Sequence, residues 1–232
     1  MKLVFVRHGT PDYEHDCLTE QGRLEAEALR RRCVGWDDFD LYMSPCGRAQ
    51  QTAEVALPEK FAEAIVCPWL TEFQGSLIDG RCCWELKEDV YRSTNDLFDR
   101  ERWAIASIFR QPATTNAWQA VCDGMDTLLK RYGYTAIENG YQADQESDKT
   151  VVLFCHMGVA LACISYLLHI APTILWNQMF ISPASITVLC TERKDDGSVR
   201  WRALNINDTA HLRQADITPS SLGCASYFDP SL

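Results

Sequence analysis

Short apolar runs alternate with more polar stretches along most of the chain. The run at residues 2–6 is rich in β-branched and aromatic side chains and predicts a buried strand. Similar runs predict further strands at 40–43, 64–67, 151–155, 185–191 and 199–205. The stretches between them predict helices over about 20–33, 45–57 and 158–168. Strands that alternate with helices predict an α/β fold, a three-layer α/β/α sandwich with a mostly parallel central sheet.

The pattern changes between residues 73 and 149, where no apolar run resembles a strand of comparable quality. Two helical stretches, at 95–109 and 117–132, predict an inserted, mainly helical cap over the strand ends. We expect Trp84, Trp103 and Trp118 to pack inside this cap. The alternative is that one of them stacks on a substrate.

The predicted core of the single domain, residues 1–232, therefore combines residues 1–72 with 150–212. The extension at 213–232 is rich in Ser and Pro, and we expect it to be loosely held.

Residues 151–170 carry no formal charge and are numerous enough to span a bilayer. The β-branched residues that begin this stretch, followed by His156 and Gly158, favour a buried strand that turns into a buried helix. We therefore predict that the stretch belongs to the core and that the protein does not bind membranes.

Composition narrows the classes of partner. The 232 residues have a formal net charge of −10, which repels nucleic acid and anionic membranes at long range. The eleven cysteines form no CxxC pair, a pattern that indicates reduced thiols and a cytoplasmic location. The initial apolar stretch is too short for a signal peptide. No spacing of ligand types predicts a metal, and we expect no cofactor.

Polar residues with catalytic potential follow two of the predicted strands. Arg7 and His8 end the first strand, and Gly9 then lets the backbone turn. His156 ends the strand at 151–155. Open α/β sheets bind ligands at the carboxyl ends of their strands. An imidazole can act as a nucleophile, and a guanidinium beside it can bind an anion.

Two other segments supply charged groups. Ser44 and Pro45 are typical of a helix start, with Ser44 as the N-cap. Arg48 then lies in the first turns, where free N–H groups and the helix dipole already favour an anion. Glu72 follows the strand at 64–67 and supplies a carboxyl group.

Taken in order, these segments resemble the histidine phosphatase (phosphoglycerate-mutase-like) superfamily, in its phosphatase branch. The resemblance runs from residue 2 to about residue 212, and it depends on the order and spacing of the motifs together. The motifs are Arg7-His8-Gly9, Leu18-Thr19-x-x-Gly22, Ser44-Pro45-x-x-Arg48-Ala49-x-x-Thr52, Leu70-x-Glu72, His156-x-Gly158, Ala184-Ser185-Ile186-Thr187 and His211-Leu212.

The resemblance implies a metal-independent phosphomonoester hydrolase that acts on a small phosphorylated metabolite through a phosphohistidine. His8 is then the nucleophile, and a backbone carbonyl is expected to hold its second ring N–H. Glu72 is the general acid and later the general base. Arg7, Arg48 and His156 bind the phosphoryl oxygens. His211 matches the family ending, and we read it as a structural partner of the loops. His15 and His169 are expected at the surface and at a helix end.

Two other phosphatase chemistries are alternatives to a His8 nucleophile with Glu72 as its acid. Cys17 and Arg23 have the Cys-x5-Arg spacing of cysteine phosphatases, but no buried strand precedes Cys17 and Glu20 adds negative charge to the loop. The acid-phosphatase branch places Asp directly after the second His, where this chain has Met157. Glu72 is therefore the better acid.

Departures from the family pattern bear on the substrate. Phosphoglycerate mutases carry Arg-His-Tyr-Gly after the catalytic Glu, whereas this chain has Phe73-Gln74-Gly75 and lacks a basic grip. Glu14 stands where mutases usually have Asn, and it would repel a second anionic group. Both changes favour a phosphatase. The alternatives are a phosphoglycerate-type mutase and a catalytically idle member that binds a phosphorylated ligand.

Overall fold

The first apolar run forms a strand inside the central sheet, with a neighbour on each side. This computed structural model describes residues 1–222. Eight strands form the central sheet and β2 and β3 form a separate hairpin. In chain order the strands are β1 (Lys2–Arg7), β2 (Pro11–Asp12), β3 (Cys17–Leu18), β4 (Phe39–Met43), β5 (Ile65–Val66), β6 (Tyr134–Ile137), β7 (Gly140–Ala143), β8 (Thr150–Cys155), β9 (Ile186–Arg193) and β10 (Ser198–Asp208).

The central sheet is mixed, in the order β5-β4-β8-β1-β9-β10-β7-β6. The first four of these strands are mutually parallel. The other neighbours pair antiparallel, so that β10 and β6 return to the direction of β1. Most strands thus share one direction, which confirms the predicted mostly parallel sheet.

The helices cover both faces of the sheet. They are α1 (Glu20–Arg32), α2 (Gly47–Ala56), α3 (Pro58–Phe61), α4 (Glu88–Ser93), α5 (Ala113–Lys130), α6 (Met157–Leu168), α7 (Pro172–Gln178) and α8 (Ala210–Gln214). Alternate residues of β1 point to opposite faces. Val4 packs in a cluster with Leu29 of α1, whereas Phe5 packs in a second cluster with Leu161 of α6. The predicted three layers are therefore present.

The charge-free stretch divides into β8 and α6, with His156 between them. In α6 ten of the twelve residues are buried, which explains the lack of polar positions. Within residues 1–222, none of the helices is both long and apolar enough to cross a membrane.

The segment 73–149 differs from its prediction in two ways. It contains a β-hairpin, β6 and β7, which extends the central sheet at its edge. The predicted helix at 95–109 is absent, and two short 3₁₀ turns, Asn95–Phe98 and Trp103–Ile105, take its place. Trp103 is fully buried there among aromatic rings, so tertiary packing overrides the helical pattern. The second predicted helix exists as α5.

The first part of the predicted extension contacts the rest of the chain. Helix α8 ends at Gln214, and the carbonyl oxygen of Leu222 accepts a hydrogen bond from Arg7 Nη2 at 3.1 Å. The described tail therefore reaches the strand ends. The rest of the predicted extension, residues 223–232, lies outside the described residues.

Candidate active site

Two histidines meet at the carboxyl ends of neighbouring strands. Strands β1 and β8 are parallel and Arg7 is level with Cys155, so His8 and His156 follow at the same edge of the sheet. The two imidazole centroids are 5.0 Å apart, and the ring planes are tilted by 59°. Both side chains are buried. The topology therefore brings together two residues that are far apart in sequence.

His8 has one ring nitrogen occupied and the other free. Its Nδ1 lies 2.7 Å from the carbonyl oxygen of Gly9, so Nδ1–H donates and Nε2 carries the lone pair. Burial, and then the charges of Arg7 and Arg48, lower the pKa of His8 to about 3. The imidazole is therefore neutral at physiological pH, as a nucleophile must be. The backbone carbonyl predicted to hold this ring N–H is that of Gly9, the next residue in the chain.

A close contact fixes the turn after His8. A Cβ atom on Gly9 would lie 2.6 Å from the carbonyl oxygen of Gly22, which leaves room only for glycine. The Gly9 amide donates to Thr52 Oγ1 at 3.1 Å. Glu25 is fully buried and accepts from the Thr10 amide at 2.7 Å, a structural role that sequence patterns did not indicate.

His156 is oriented by a serine. Ser44 Oγ accepts from the Cys46 amide at 3.2 Å and lies 2.8 Å from His156 Nε2. The Ser44 hydroxyl has no other acceptor among the described residues, so we assign its proton to Nε2 and the proton of the neutral ring to Nδ1. Burial, with smaller contributions from His8 and the two arginines, lowers the pKa of His156 well below its ordinary value.

Ser44 does not have the role of helix N-cap that the sequence predicted. Helix α2 begins at Gly47 with Cys46 as its N-cap, so Ser44 does not cap the helix. Ser44 instead contacts His156. The predicted N-cap was wrong by two residues, because the Ser44 amide still pairs with the Phe154 carbonyl oxygen of β8 and the chain bends only at 45–46.

Arg7 is buried beneath the site. Its Nη1 donates to the carbonyl oxygen of Ile181 at 2.6 Å, and its Cζ lies 5.8 Å from the ring centroid of Phe180. Burial lowers the pKa of Arg7 from its ordinary value. These contacts fix the guanidinium plane through groups on loops that sequence patterns did not associate with Arg7.

Arg48 is paired with an acidic residue that the sequence did not single out. Asp16 accepts from Arg48 Nη1 at 2.5 Å and from the Gly47 amide at 2.7 Å. The Arg48 guanidinium also lies 5.4 Å from the ring centroid of Tyr13. Asp16 is partly exposed, so the pair lies at the rim of the site.

Three buried donors around His8 have no acceptor among the described residues. They are the Nε–H groups of Arg7 and Arg48 and the Nδ1–H group of His156. Buried donors normally have partners. An anion with several acceptor oxygens would satisfy all three, and a phosphoryl group has that form.

Glu72 lies at the amino end of α6. Its Oε1 accepts from the amides of Phe73 at 2.8 Å and Val159 at 3.0 Å, and Oε2 accepts from the Gly158 amide at 3.3 Å. These N–H groups favour the carboxylate, but burial outweighs them and raises the pKa of Glu72. Arg7 is the charged group that opposes this rise.

The rejected residues lie elsewhere. Cys17 belongs to the β2–β3 hairpin opposite Asp12. His15 is exposed and pairs with Asp12 at 2.8 Å, and His169 ends α6, both as expected. His211 is buried at the start of α8.

The described residues contain no group of three or more His, Cys, Asp or Glu side chains placed to hold a metal ion. Their ten cysteines are free thiols.

The family model described as the histidine phosphatase superfamily, branch 1, matches residues 3–206. A phosphoserine phosphatase variant from Entamoeba histolytica, solved with phosphoserine, shares 22% identity at a TM-score of 0.61, covering 91% of this chain and 98% of its own.

A mycobacterial glucosyl-3-phosphoglycerate phosphatase, solved with VO3, shares 23% identity at a TM-score of 0.54, covering 90% of this chain and 99% of its own. At these identities the likeness concerns the fold. No curated protein gave a significant match.

Proposed function

Because the chain belongs to branch 1 of the histidine phosphatase superfamily, we propose that it hydrolyses phosphomonoesters through a phosphohistidine at His8. The family match confirms the predicted family and enzyme class. The strongest support for this site is that three buried donors without partners surround His8, a neutral histidine whose Nε2 is free. A phosphoryl group bound to these donors would have its phosphorus facing His8 Nε2.

In the first half-reaction His8 Nε2 attacks phosphorus, and the bond from phosphorus to the ester oxygen breaks. Arg7, Arg48 and His156 Nδ1–H donate to the phosphoryl oxygens. A cation and an anion 4 Å apart attract each other by about 4 kcal/mol at an effective dielectric constant of 20, before desolvation is subtracted. Glu72 in its protonated form gives its proton to the departing alkoxide. The raised pKa of Glu72 supports this role.

In the second half-reaction the Glu72 carboxylate takes a proton from water, and the water oxygen attacks the phosphorus of phosphohistidine. The bond to Nε2 breaks and inorganic phosphate leaves. His8 returns to its neutral form, with Nδ1–H still held by the Gly9 carbonyl. No step requires a metal, because the two guanidinium groups and the His156 N–H balance the developing charge.

A small phosphorylated metabolite is the proposed substrate class. The two solved relatives named above are a phosphoserine phosphatase and a glucosyl-3-phosphoglycerate phosphatase. A hydrolase is supported over a mutase by the segment after Glu72, where Gln74 is exposed and donates to the Glu72 carbonyl oxygen. The free thiols of the described cysteines support a cytoplasmic location.

An assay with p-nitrophenyl phosphate tests the proposal. We expect wild-type protein to release p-nitrophenol and phosphate, and His8→Ala to release neither. Equal and negligible turnover by both proteins would support the idle, ligand-binding alternative. Conversion of 3-phosphoglycerate to its 2-isomer, without net release of phosphate, would instead support the mutase. A metabolite panel screened for released phosphate then ranks the physiological candidates.

A further inference from the structure

An indole ring lies directly beside the Glu72 carboxylate. A Cβ atom built on Gly158 would lie 2.4 Å from Trp84 Cζ3 and 2.7 Å from Glu72 Oε1. The two groups therefore share the space above one glycine in the first turn of α6. Gly158 is required there because any side chain would displace the carboxylate, the indole or both.

A second indole holds Trp84 in place. Trp176 packs against Trp84 with ring centroids 6.2 Å apart, and its Nε1–H donates to the Gly158 carbonyl oxygen at 2.9 Å. Trp176 is buried, whereas Trp84 keeps part of its surface exposed. Trp84 is thus packed against a buried indole and remains partly exposed.

The groups around Glu72 offer little to a second anion. The titratable or charged side chains that interact electrostatically with Glu72 include Arg7 on β1, Cys82, two residues before Trp84, and Cys155 on β8. Arg7 belongs to the phosphoryl site. Arg81, the nearest arginine along the cap segment, is bonded to Asp79 and to the Glu85 carbonyl oxygen.

We propose that Trp84 lines the leaving-group side of the site and positions Glu72, and that the enzyme prefers phosphomonoesters whose alcohol carries an aromatic or apolar group. The inference rests on the proposed function. A partly exposed indole offers stacking and apolar contact to such a group. The same ring keeps water from the carboxyl group that protonates the alkoxide.

Two esters of similar alcohols test the preference, namely 2-phenylethyl phosphate and ethyl phosphate. We expect wild type to favour the phenylethyl ester in kcat/KM. Trp84→Ala should reduce that preference about tenfold, the size of one aromatic contact. Trp84→Phe should retain most of it. Trp118→Ala is the matched control, because Trp118 is also half-buried in the cap segment but packs on Trp103 and Tyr166.

The pH profile tests the positioning role, which a merely structural tryptophan would not affect. Glu72 must be protonated to act as the acid, so kcat/KM falls as pH rises through its pKa. Admitting water lowers that pKa, and the alkaline limb for ethyl phosphate should move down by about one pH unit in Trp84→Ala. Trp118→Ala should leave the limb in place.

The outcomes separate the inference from the function on which it rests. A wild-type protein that hydrolyses neither ester and forms no phosphohistidine overturns the proposed function itself. An active Trp84→Ala variant with unchanged ester preference, or with an unchanged alkaline limb, overturns the role of Trp84 and leaves the function standing.

Discussion

At the scale of single residues, burial sets the acid–base properties of the site. His8 and His156 are kept neutral, and Glu72 is biased towards its protonated form. The reaction needs these forms at its start, a free nucleophile and a proton donor. The same burial has consequences that can be measured separately for Glu72 and for His8.

Replacing Glu72 by Gln should lower kcat for alkyl phosphates by about 10²- to 10⁴-fold, because the alkoxide then leaves without a proton. Aryl phosphates, whose phenolates leave more easily, should lose less. Steady-state kinetics on both ester types give the comparison. Glu63→Gln, which removes an exposed carboxylate paired with Lys60, should change neither rate. Equal losses for alkyl and aryl esters would argue against an acid role for Glu72.

The buried His8 should make the fold sensitive to acid. Its pKa is about 3 in the folded protein against an ordinary 6.5, so below pH 6.5 the unfolded chain binds a proton that the folded protein does not. Stability therefore falls as pH drops from about 6.5 towards 3. Between pH 7 and pH 5, wild type should lose about 2 kcal/mol relative to His8→Gln. Urea unfolding at the two pH values measures this, and a constant difference between the proteins would contradict it.

Sequence patterns identified the residues that end strands and missed those that support them. Arg7, His8 and His156 were predictable because a strand end is a local feature. Asp16 and Ser44 acquire their roles through contacts across 32 and 112 residues of sequence. Such contacts exist only once the sheet has formed, so no local pattern predicts them.

At the scale of elements, α6 is the part on which the site most depends. It follows β8 and His156, its first amides bind Glu72, and its Gly158 contacts both Glu72 and Trp84. The strand-turn-helix prediction for this stretch was correct because its lack of charge and its β-branched residues can be read from the local sequence. The edge hairpin β6–β7 was missed, since each of its strands has only four residues.

Gly158→Ala provides a test of this element. Alanine is the better helix former by about 1 kcal/mol, so α6 itself should tolerate the change. The added Cβ would overlap Glu72 and Trp84, and a displaced acid should lower kcat about 10²-fold. Kinetics and far-ultraviolet circular dichroism on one preparation separate the two effects. Full activity with normal helicity would mean that the contacts at Gly158 do not position Glu72.

At the scale of the whole molecule, an acidic protein concentrates positive charge at one edge of its sheet. The formal net charge is −10, yet Arg7 and Arg48 both lower the pKa of His8. The family match and the mixed sheet agree with the fold that the sequence predicted. The cap was predicted less well, because buried aromatic packing around Trp103 replaces regular helix there.

Arginine-based charge stabilisation predicts how the enzyme responds to metal removal and to vanadate. Activity should be unchanged after dialysis against EDTA, because the proposed steps use Arg7, Arg48 and His156 in place of a metal ion. Vanadate should inhibit competitively, and Arg48→Ala should weaken that inhibition about tenfold or more through the loss of a charged donor. Loss of activity on chelation, restored by a divalent cation, would contradict this mechanism.

A rapid-quench reaction with a phosphomonoester labelled in its phosphoryl group, followed by mass spectrometry of the quenched protein, tests the phosphohistidine at His8 directly. We expect one phosphoryl group on His8, stable in alkali and lost in acid, and none in His8→Ala. Label on Cys17 or on any other residue, or turnover by wild type without a phosphoenzyme at any quench time, would contradict it.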